Sequence, residues 1–256
     1  MTVTIAISGK GGTGKTIIAS TLLKILTNRY PDASILAIDA NLNGDLGRYV
    51  GQNVINTIYD LRVGNYKYPY GISDDMSKQE YIDACIQDLA TPFRENVDLI
   101  AAGSPVTLQC TCYTDKIIRD RMETFAQNYD IVVIDSADDI VYLKNIINIT
   151  INSIIIIADS SRSAITSAAR LKYAAREMLL HQETTLLLNK IRQRTMPDEI
   201  KKLIDKYDLD IVGIIPYDED LRSYEYAGYS IFELDTNSPV CQSIEQTLYR
   251  LNLHVS

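Results

Sequence analysis

Short runs rich in β-branched and aliphatic residues recur along the chain, and each is followed by a longer stretch where apolar positions return every three or four residues. The runs lie at 2–8 (TVTIAIS), 34–39 (SILAID), 97–102 (VDLIAA), 130–136 (DIVVIDS), 153–159 (SIIIIAD), 184–190 (TTLLLNK) and 210–216 (DIVGIIP). The stretches between them predict helices near 16–29, 77–90, 114–128, 162–181, 197–207 and 239–251. Strands that are apolar at nearly every position are buried on both faces. The pattern therefore predicts an α/β fold, with a mostly parallel central sheet of about seven to eight strands covered by helices on both sides. Active sites of such sheets gather at the carboxyl ends of the strands. No internal repeat or linker breaks the pattern, so a single domain is expected over 1–256. The stretch 51–77, punctuated by Pro and Gly and rich in Tyr, predicts an irregular surface excursion.

Composition narrows the class. With 46% hydrophobic and 23% charged residues the chain is ordinary globular material. A net charge of −8 without any Lys/Arg cluster argues against a broad surface for nucleic acid or anionic membrane. No window approaches the ~18 uninterrupted apolar residues of a membrane span. The first residues enter a strand without a charged leader, which makes the cytoplasm the expected location. Four cysteines, at 85, 110, 112 and 241, are too few and scattered for a disulfide framework. Cys85 and Cys241 sit in helical patterns and read as packing residues.

The chemistry starts at AISGKGGTGKTIIAS, residues 6–20. Gly9 to Thr16 fits G-x-x-x-x-G-K-[ST], between a predicted strand and a predicted helix. Glycines let backbone N–H groups converge on phosphate oxygens, and the helix start adds its positive dipole end. Gly11, Gly12, Thr13, Gly14, Lys15, Thr16 and Ile17 are the expected nucleotide-binding run. Lys15 is expected on the β- and γ-phosphates, and the Thr16 hydroxyl on Mg²⁺. A Gly-rich turn that binds nothing is the plain alternative. Asp135 closes DIVVIDS where a P-loop NTPase holds its Mg²⁺ shell, though a strand-end Asp also caps helices.

The motif needs one lysine and contains two. GKGGTGKT, with Lys10 ahead of Lys15, resembles the deviant Walker A signature of the MinD, ParA and nitrogenase iron-protein superfamily of P-loop NTPases. In that family the early lysine crosses a homodimer interface to the phosphates of the other subunit, so the resemblance implies that Lys10 senses nucleotide-dependent dimerisation. A solvated loop lysine is the alternative. The resemblance also places ILAIDANLN (35–43) at switch I and VIDSADD (133–139) at switch II. It makes LLNKI (187–191) and GIIPYDEDL (213–221) the adenine-recognition segments, with Asn189 reading the base edge and Pro216 and Tyr217 flanking it. These residues could also simply end two strands.

LQCTCYTDK (108–116), together with DIVGIIPYDEDL and TNSPVCQSIEQTLYRL, is similar to the CooC-type ATPases that assist nickel insertion into carbon monoxide dehydrogenase. Residues two apart in extended chain lie about 6.6 Å apart on one side, too far for an unstrained disulfide between Cys110 and Cys112. A metal requires thiolates about 2.3 Å from itself, and a two-fold dimer supplies four of them. Nickel or zinc between subunits fits that donor set; two loop cysteines without a ligand are the alternative. The resemblance thus implies a metallochaperone that uses ATP/ADP and Mg²⁺ and serves a client metalloenzyme of the carbon monoxide dehydrogenase kind, without nucleic acid or membrane. Its rivals are a ParA/MinD-type positioning ATPase and an iron-protein-like reductase component with a bridging Fe–S cluster.

Two departures bear on catalysis. Switch I of the family reads D-x-D, whereas Asp39 is followed by Asn41, an amide that cannot take a proton from water. Asp45 lies four residues further on. In switch II, Asp138 and Asp139 stand where relatives usually place a glycine at 139. Lys10, Lys15, Asp39 and Asp139 are therefore the expected catalytic residues, with Asp139 as the relocated base. Slow hydrolysis, with nucleotide acting as a dimer clamp, is the alternative.

Overall fold

The computed structural model describes the chain apart from residues 1, 42–43, 71–74, 104–112, 138–142, 144–149, 180, 193–195 and 252–256. The described elements run, in order, β1 (Val3–Gly9), α1 (Lys15–Arg29), β2 (Ile35–Ala40), α2 (Leu46–Val50), α3 (Ile58–Val63), α4 (Lys78–Leu89), β3 (Thr91–Arg94) and β4 (Val97–Ala101). They continue with α5 (Tyr113–Ala126), β5 (Ile131–Ser136), β6 (Ile151–Ala158), α6 (Arg162–Met178), β7 (His181–Ile191), α7 (Asp198–Lys206), β8 (Ile211–Pro216), α8 (Glu219–Ala227), a 3₁₀ turn (Ile231–Glu233) and α9 (Pro239–Arg250).

Eight strands form one sheet in the order β3-β4-β2-β5-β1-β6-β7-β8. Every pairing is parallel except β3 with β4. Each strand side chain alternates between two cores, as a period of two demands. Leu36, Ile38, Val132, Ile134, Ile154 and Ile156 pack with α4, α5, α6 and α7. Ile35, Ala37, Ile131, Val133, Ile155 and Ile157 pack with α1, α2 and α9. Cys85 lies wholly buried in the first core and Cys241 in the second, as packing residues.

From β1 the chain crosses to β2 on one side, and from β5 it crosses back over β1 to β6 on the other. The carboxyl end of β1 is therefore the point where the winding reverses, the place a doubly wound sheet opens a crevice.

Three expectations change. The stretch 51–77 is not all irregular. Thr57 and Asp60 form a reciprocal capping box that starts α3, and Leu61 and Tyr66 are buried in the first core. Strand β3 is an extra antiparallel edge, short enough at four residues to carry Pro92. Helices α2 and α8 are additions, and both border the site described below. Among the described residues, no helix is long and apolar enough to cross a membrane.

Helix α9 docks on bare backbone. A Cβ built on Gly213 in β8 would lie 2.3 Å from Thr247 Oγ1 and 2.9 Å from Leu187 Cδ1. Gly213→Ala is therefore expected to cost about 1–3 kcal/mol, as overpacking does. Thr247→Ala in the same background should return part of that loss. Chemical denaturation of the two single variants and the double variant checks this; strictly additive effects would contradict the contact.

Candidate functional site

The 9–16 loop leaves β1 and runs straight into α1. Gly14 occupies the helix N-cap at φ 93°, and a Cβ there would lie 2.6 Å from Asn189 Nδ2. Only glycine meets both demands. Protein donors draw the loop carbonyls inward. The Thr13 N–H and hydroxyl donate to Lys10 O at 3.3 and 2.7 Å. Asn189 Nδ2 donates to Thr13 O at 2.8 Å, and Lys190 Nζ to Gly12 O at 2.9 Å. A trans peptide points its C=O and the next N–H in opposite directions. Fixing the carbonyls of Lys10 and Thr13 therefore turns the N–H groups of Gly11 and Gly14 the other way. Helix α1 has no side-chain cap, and its first turn faces this loop as an anion site.

Two acids lie behind the loop. In the ladder of β2 and β5, Asp39 is the direct partner of Asp135, which sets their backbones about 4.8 Å apart. Asp39 is 1% exposed and Asp135 is fully buried. Asp39 accepts from the Asn41 N–H at 3.1 Å and the Leu46 N–H at 2.8 Å, so it shapes the turn into α2. Burial nevertheless pushes its pKa up to about 6, against those two bonds, with Asp45 adding repulsion. Neither Asp135 oxygen receives a hydrogen bond of good geometry. The Thr16 hydroxyl and the Lys15 ammonium stand near enough to favour its ionised form, but burial outweighs them and raises its pKa to about 7. Orphaned hard oxygens beside a hydroxyl and a second carboxylate are the donors Mg²⁺ prefers. The residues fit that ion.

A trough continues from this point. Its phosphate end, about 400 Å³, is lined by Gly11, Gly12, Gly14, Lys15, Thr16 and Asn41 among others. Its other end, about 450 Å³, is lined by Asn189, Pro216, Tyr217, Arg48, Arg222 and Tyr226 among others. Ile17, Tyr49, Lys190 and Glu225 line both. At this waist the Tyr49 hydroxyl donates to Glu225 Oε1 at 2.7 Å. Burial and then the Glu225 carboxylate push the Tyr49 pKa up to about 12. At the far end, Arg222 donates to the hydroxyls of Tyr217 and Tyr226 at 3.0 and 3.1 Å. The Arg192 guanidinium lies 3.7 Å over the Tyr217 ring.

The structure thus gathers Gly11, Gly12, Gly14, Lys15, Thr16, Ile17, Asn189, Pro216 and Tyr217 along one trough, with Asp39 and Asp135 behind it. Thr13 serves it indirectly through the loop's internal bonds. Lys15 Nζ stands 3.5 Å from Lys10 O. Lys10 points elsewhere: its exposed ammonium donates to Ser163 Oγ at the start of α6, at 2.8 Å. Cys110, Cys112, Asp138 and Asp139 lie outside the described residues. Among the described residues, no three His, Cys, Asp or Glu side chains gather as a metal site.

Sequence reading missed Arg48, Tyr49, Lys190, Arg222 and Glu225. Lys190 adopts φ 60° where the β7–β8 register shifts, a backbone state that no local pattern announces. Helix α8 did carry a signal: Asp218 caps Asp220 and Leu221 N–H, and Gly228 ends the helix at φ 71°.

Comparison with known proteins adds three likenesses and one family match. The family described as "CobQ/CobB/MinD/ParA nucleotide binding domain" matches residues 4–229. An uncharacterised ATP-binding protein of Methanocaldococcus jannaschii is 28% identical over 253 residues, covering 94% of this chain and 95% of that protein. The carbon monoxide dehydrogenase accessory protein CooC of Rhodospirillum rubrum is 22% identical over 249 residues, covering 93% and 91%. The septum site-determining protein MinD of Pyrococcus horikoshii OT3, solved with Mg-ADP, superposes with a TM-score of 0.65 at 20% identity, covering 98% and 96%.

The acid pair yields a stability test. The pKa of Asp135 in the folded chain, about 7, lies above its ordinary 3.8. The folded state therefore holds this proton more tightly than the unfolded chain, and stability is lost as pH rises through about 7. Thermal unfolding of nucleotide-free protein between about pH 5 and 8 should show Tm falling, and Asp135→Asn should flatten the slope by on the order of 1–3 kcal/mol. Parallel profiles for the two proteins would contradict this.

Proposed function

Because this chain belongs to the CobQ/CobB/MinD/ParA nucleotide-binding domain family, we propose that it is an ATP-operated dimerisation switch that carries a thiophilic metal ion. The ATPase activity is that of the family, and the trough supplies its machinery. The single observation that carries the nucleotide-and-magnesium part of the reading is the buried pair Asp39 and Asp135 at adjacent strand ends behind the 9–16 loop.

Each step follows from a named group. The Gly11 and Gly14 N–H groups and the first turn of α1 bind phosphate oxygens. Lys15 exchanges its contact with Lys10 O for the β- and γ-phosphates. Thr16 and Asp135 hold Mg²⁺, with Asp39 beside them; that ion, when bound, neutralises charge developing on the phosphates. Asn189 and the Pro216–Tyr217 segment flank the base. Asp39 connects this chemistry to switch I, since the Asn41 and Leu46 N–H groups donate to its two oxygens. Asp139 takes the proton of the attacking water in place of the missing carboxylate at 41.

The dimer reading rests on Lys10. In the single chain it is surface-exposed and bonded to a serine, not to the site beside it. An exposed cation next to a phosphate loop serves catalysis best from the facing subunit, where it meets γ-phosphate charge only after two loaded chains pair. The same two-fold axis brings Cys110 and Cys112 of each chain to one four-thiolate site for nickel or zinc. The likeness to CooC supports delivery to a client of the carbon monoxide dehydrogenase kind.

Three expected outcomes follow. In light scattering with ATP and Mg²⁺, wild type should pair, whereas Lys10→Gln should bind ATP within about threefold of wild type yet stay single; a Lys10→Gln dimer would overturn its role. Single-turnover hydrolysis by Asp139→Asn should slow by about 100-fold or more, and a wild-type rate would end the relocated-base assignment. Elemental analysis of the ATP-bound dimer should find one nickel or zinc per two chains, lost in Cys110→Ser/Cys112→Ser; equal metal in both proteins would refute the thiolate site.

A further inference from the structure

Helix α6 buries a stripe of small and aliphatic residues, Ala164, Ile165, Ala168, Leu171 and Ala175, against the first core. Its opposite face is mainly cationic, with Glu177 the one exposed acid of the helix. Arg162, Arg170 and Arg176 are exposed, and Lys172 is half-buried. Two depressions of about 490 and 670 Å³ follow this face and share Thr166 and Arg170. Together they form one groove spanning Arg162 to Arg176, roughly 20 Å at 1.5 Å per helical residue. In the single chain, Lys10 closes one end of it. Tyr173, 69% exposed, and Tyr207 give the other end an aromatic surface.

The lining of the groove is locally basic. The chain as a whole carries −8, yet Asp208 is the only carboxylate among the described residues lining the groove, and it pairs with Lys172 at 3.2 Å. Arg162, Arg170 and Arg176 form no ion pair among the described residues. Three exposed arginines along one face give the groove a local positive potential on a chain of net negative charge. Arginine forks match carboxylates in bidentate fashion, while an exposed tyrosine beside arginine is the composition of an interface centre.

We propose that the α6 groove docks an acidic segment of a partner protein, its carboxylates on Arg162, Arg170 and Arg176 and an apolar side chain on Tyr173. A protein segment fits better than nucleic acid for a reason of length. The groove is short, so a polyanion extending past it meets an acidic surface. The proposal is independent of the metal site.

The test is fluorescence anisotropy with a labelled peptide of about fifteen residues built from Glu pairs separated by Leu and Phe, alongside a Glu-to-Gln version of the peptide and an oligothymidylate of similar length. Wild type should bind the acidic peptide, with affinity falling as salt rises, and bind the other two at least about tenfold more weakly. Arg170→Glu/Arg176→Glu and, separately, Tyr173→Ala should each weaken peptide binding about tenfold or more while unfolding at wild-type temperature and hydrolysing ATP at the wild-type rate. No peptide binding by wild type, equal binding by the charge-reversed variant, or tighter binding of the oligothymidylate would each overturn the assignment.

Discussion

Two carboxylates that cannot comfortably ionise together define this molecule. The register of β2 and β5 makes Asp39 and Asp135 direct neighbours, and burial denies both the water that would stabilise their charge. Asp39 is eased by two backbone N–H groups, whereas Asp135 has none of good geometry. Asp39 at least anchors the turn into α2, but the oxygens of Asp135 accept no hydrogen bond of good geometry and do no such structural work. Placed under a phosphate-binding loop, the pair becomes a demand for a divalent cation that arrives with its own anionic ligand. The cost in stability is the requirement that makes nucleotide binding consequential for the rest of the chain.

The consequence spreads because the site is held by groups from several separate elements. Asp39 anchors the turn into α2, and α2 supplies Tyr49. Tyr49 bonds Glu225 of α8 across the waist of the trough and packs with Ile17 and Ile231. On the other wall, Asn189 and Lys190 grip the loop carbonyls from the end of β7. The Pro216–Tyr217 end of the trough, the start of α2 and the 9–16 loop are thus connected through side-chain bonds rather than through the core. A ligand occupying the trough bears on all three at once.

Much of this architecture is legible in the order of the amino acids, and physics explains where legibility stops. Strand and helix periods locate the sheet because both its cores are large and apolar. The G-x-x-x-x-G-K-T loop and Asp135 can be read because backbone curvature and strand-end position are local matters. What the sequence hides is assembled from afar. Tyr49 and Glu225 meet over 176 residues of separation. Lys190 reaches Gly12 from a left-handed backbone position. The basic groove of α6 has its cations spaced along one helix face with no clustered run to betray it, although the chain's net charge suggests an acidic surface throughout. Asn189 is expected to read the base; it lines the trough with Pro216 and Tyr217, and its amide is spent on the Thr13 carbonyl.

The most direct test of the central claim is proton release on nucleotide binding. Calorimetric titration of preformed magnesium–ATP-analogue complex at a pH slightly below 7, repeated in buffers of different ionisation enthalpy, counts protons exchanged with solvent. If a cation is what allows Asp135 to ionise, wild type should release most of a proton per chain on binding, and Asp135→Asn should release correspondingly less. Identical proton counts in the two proteins would contradict the claim that this buried carboxylate is the group the cation satisfies.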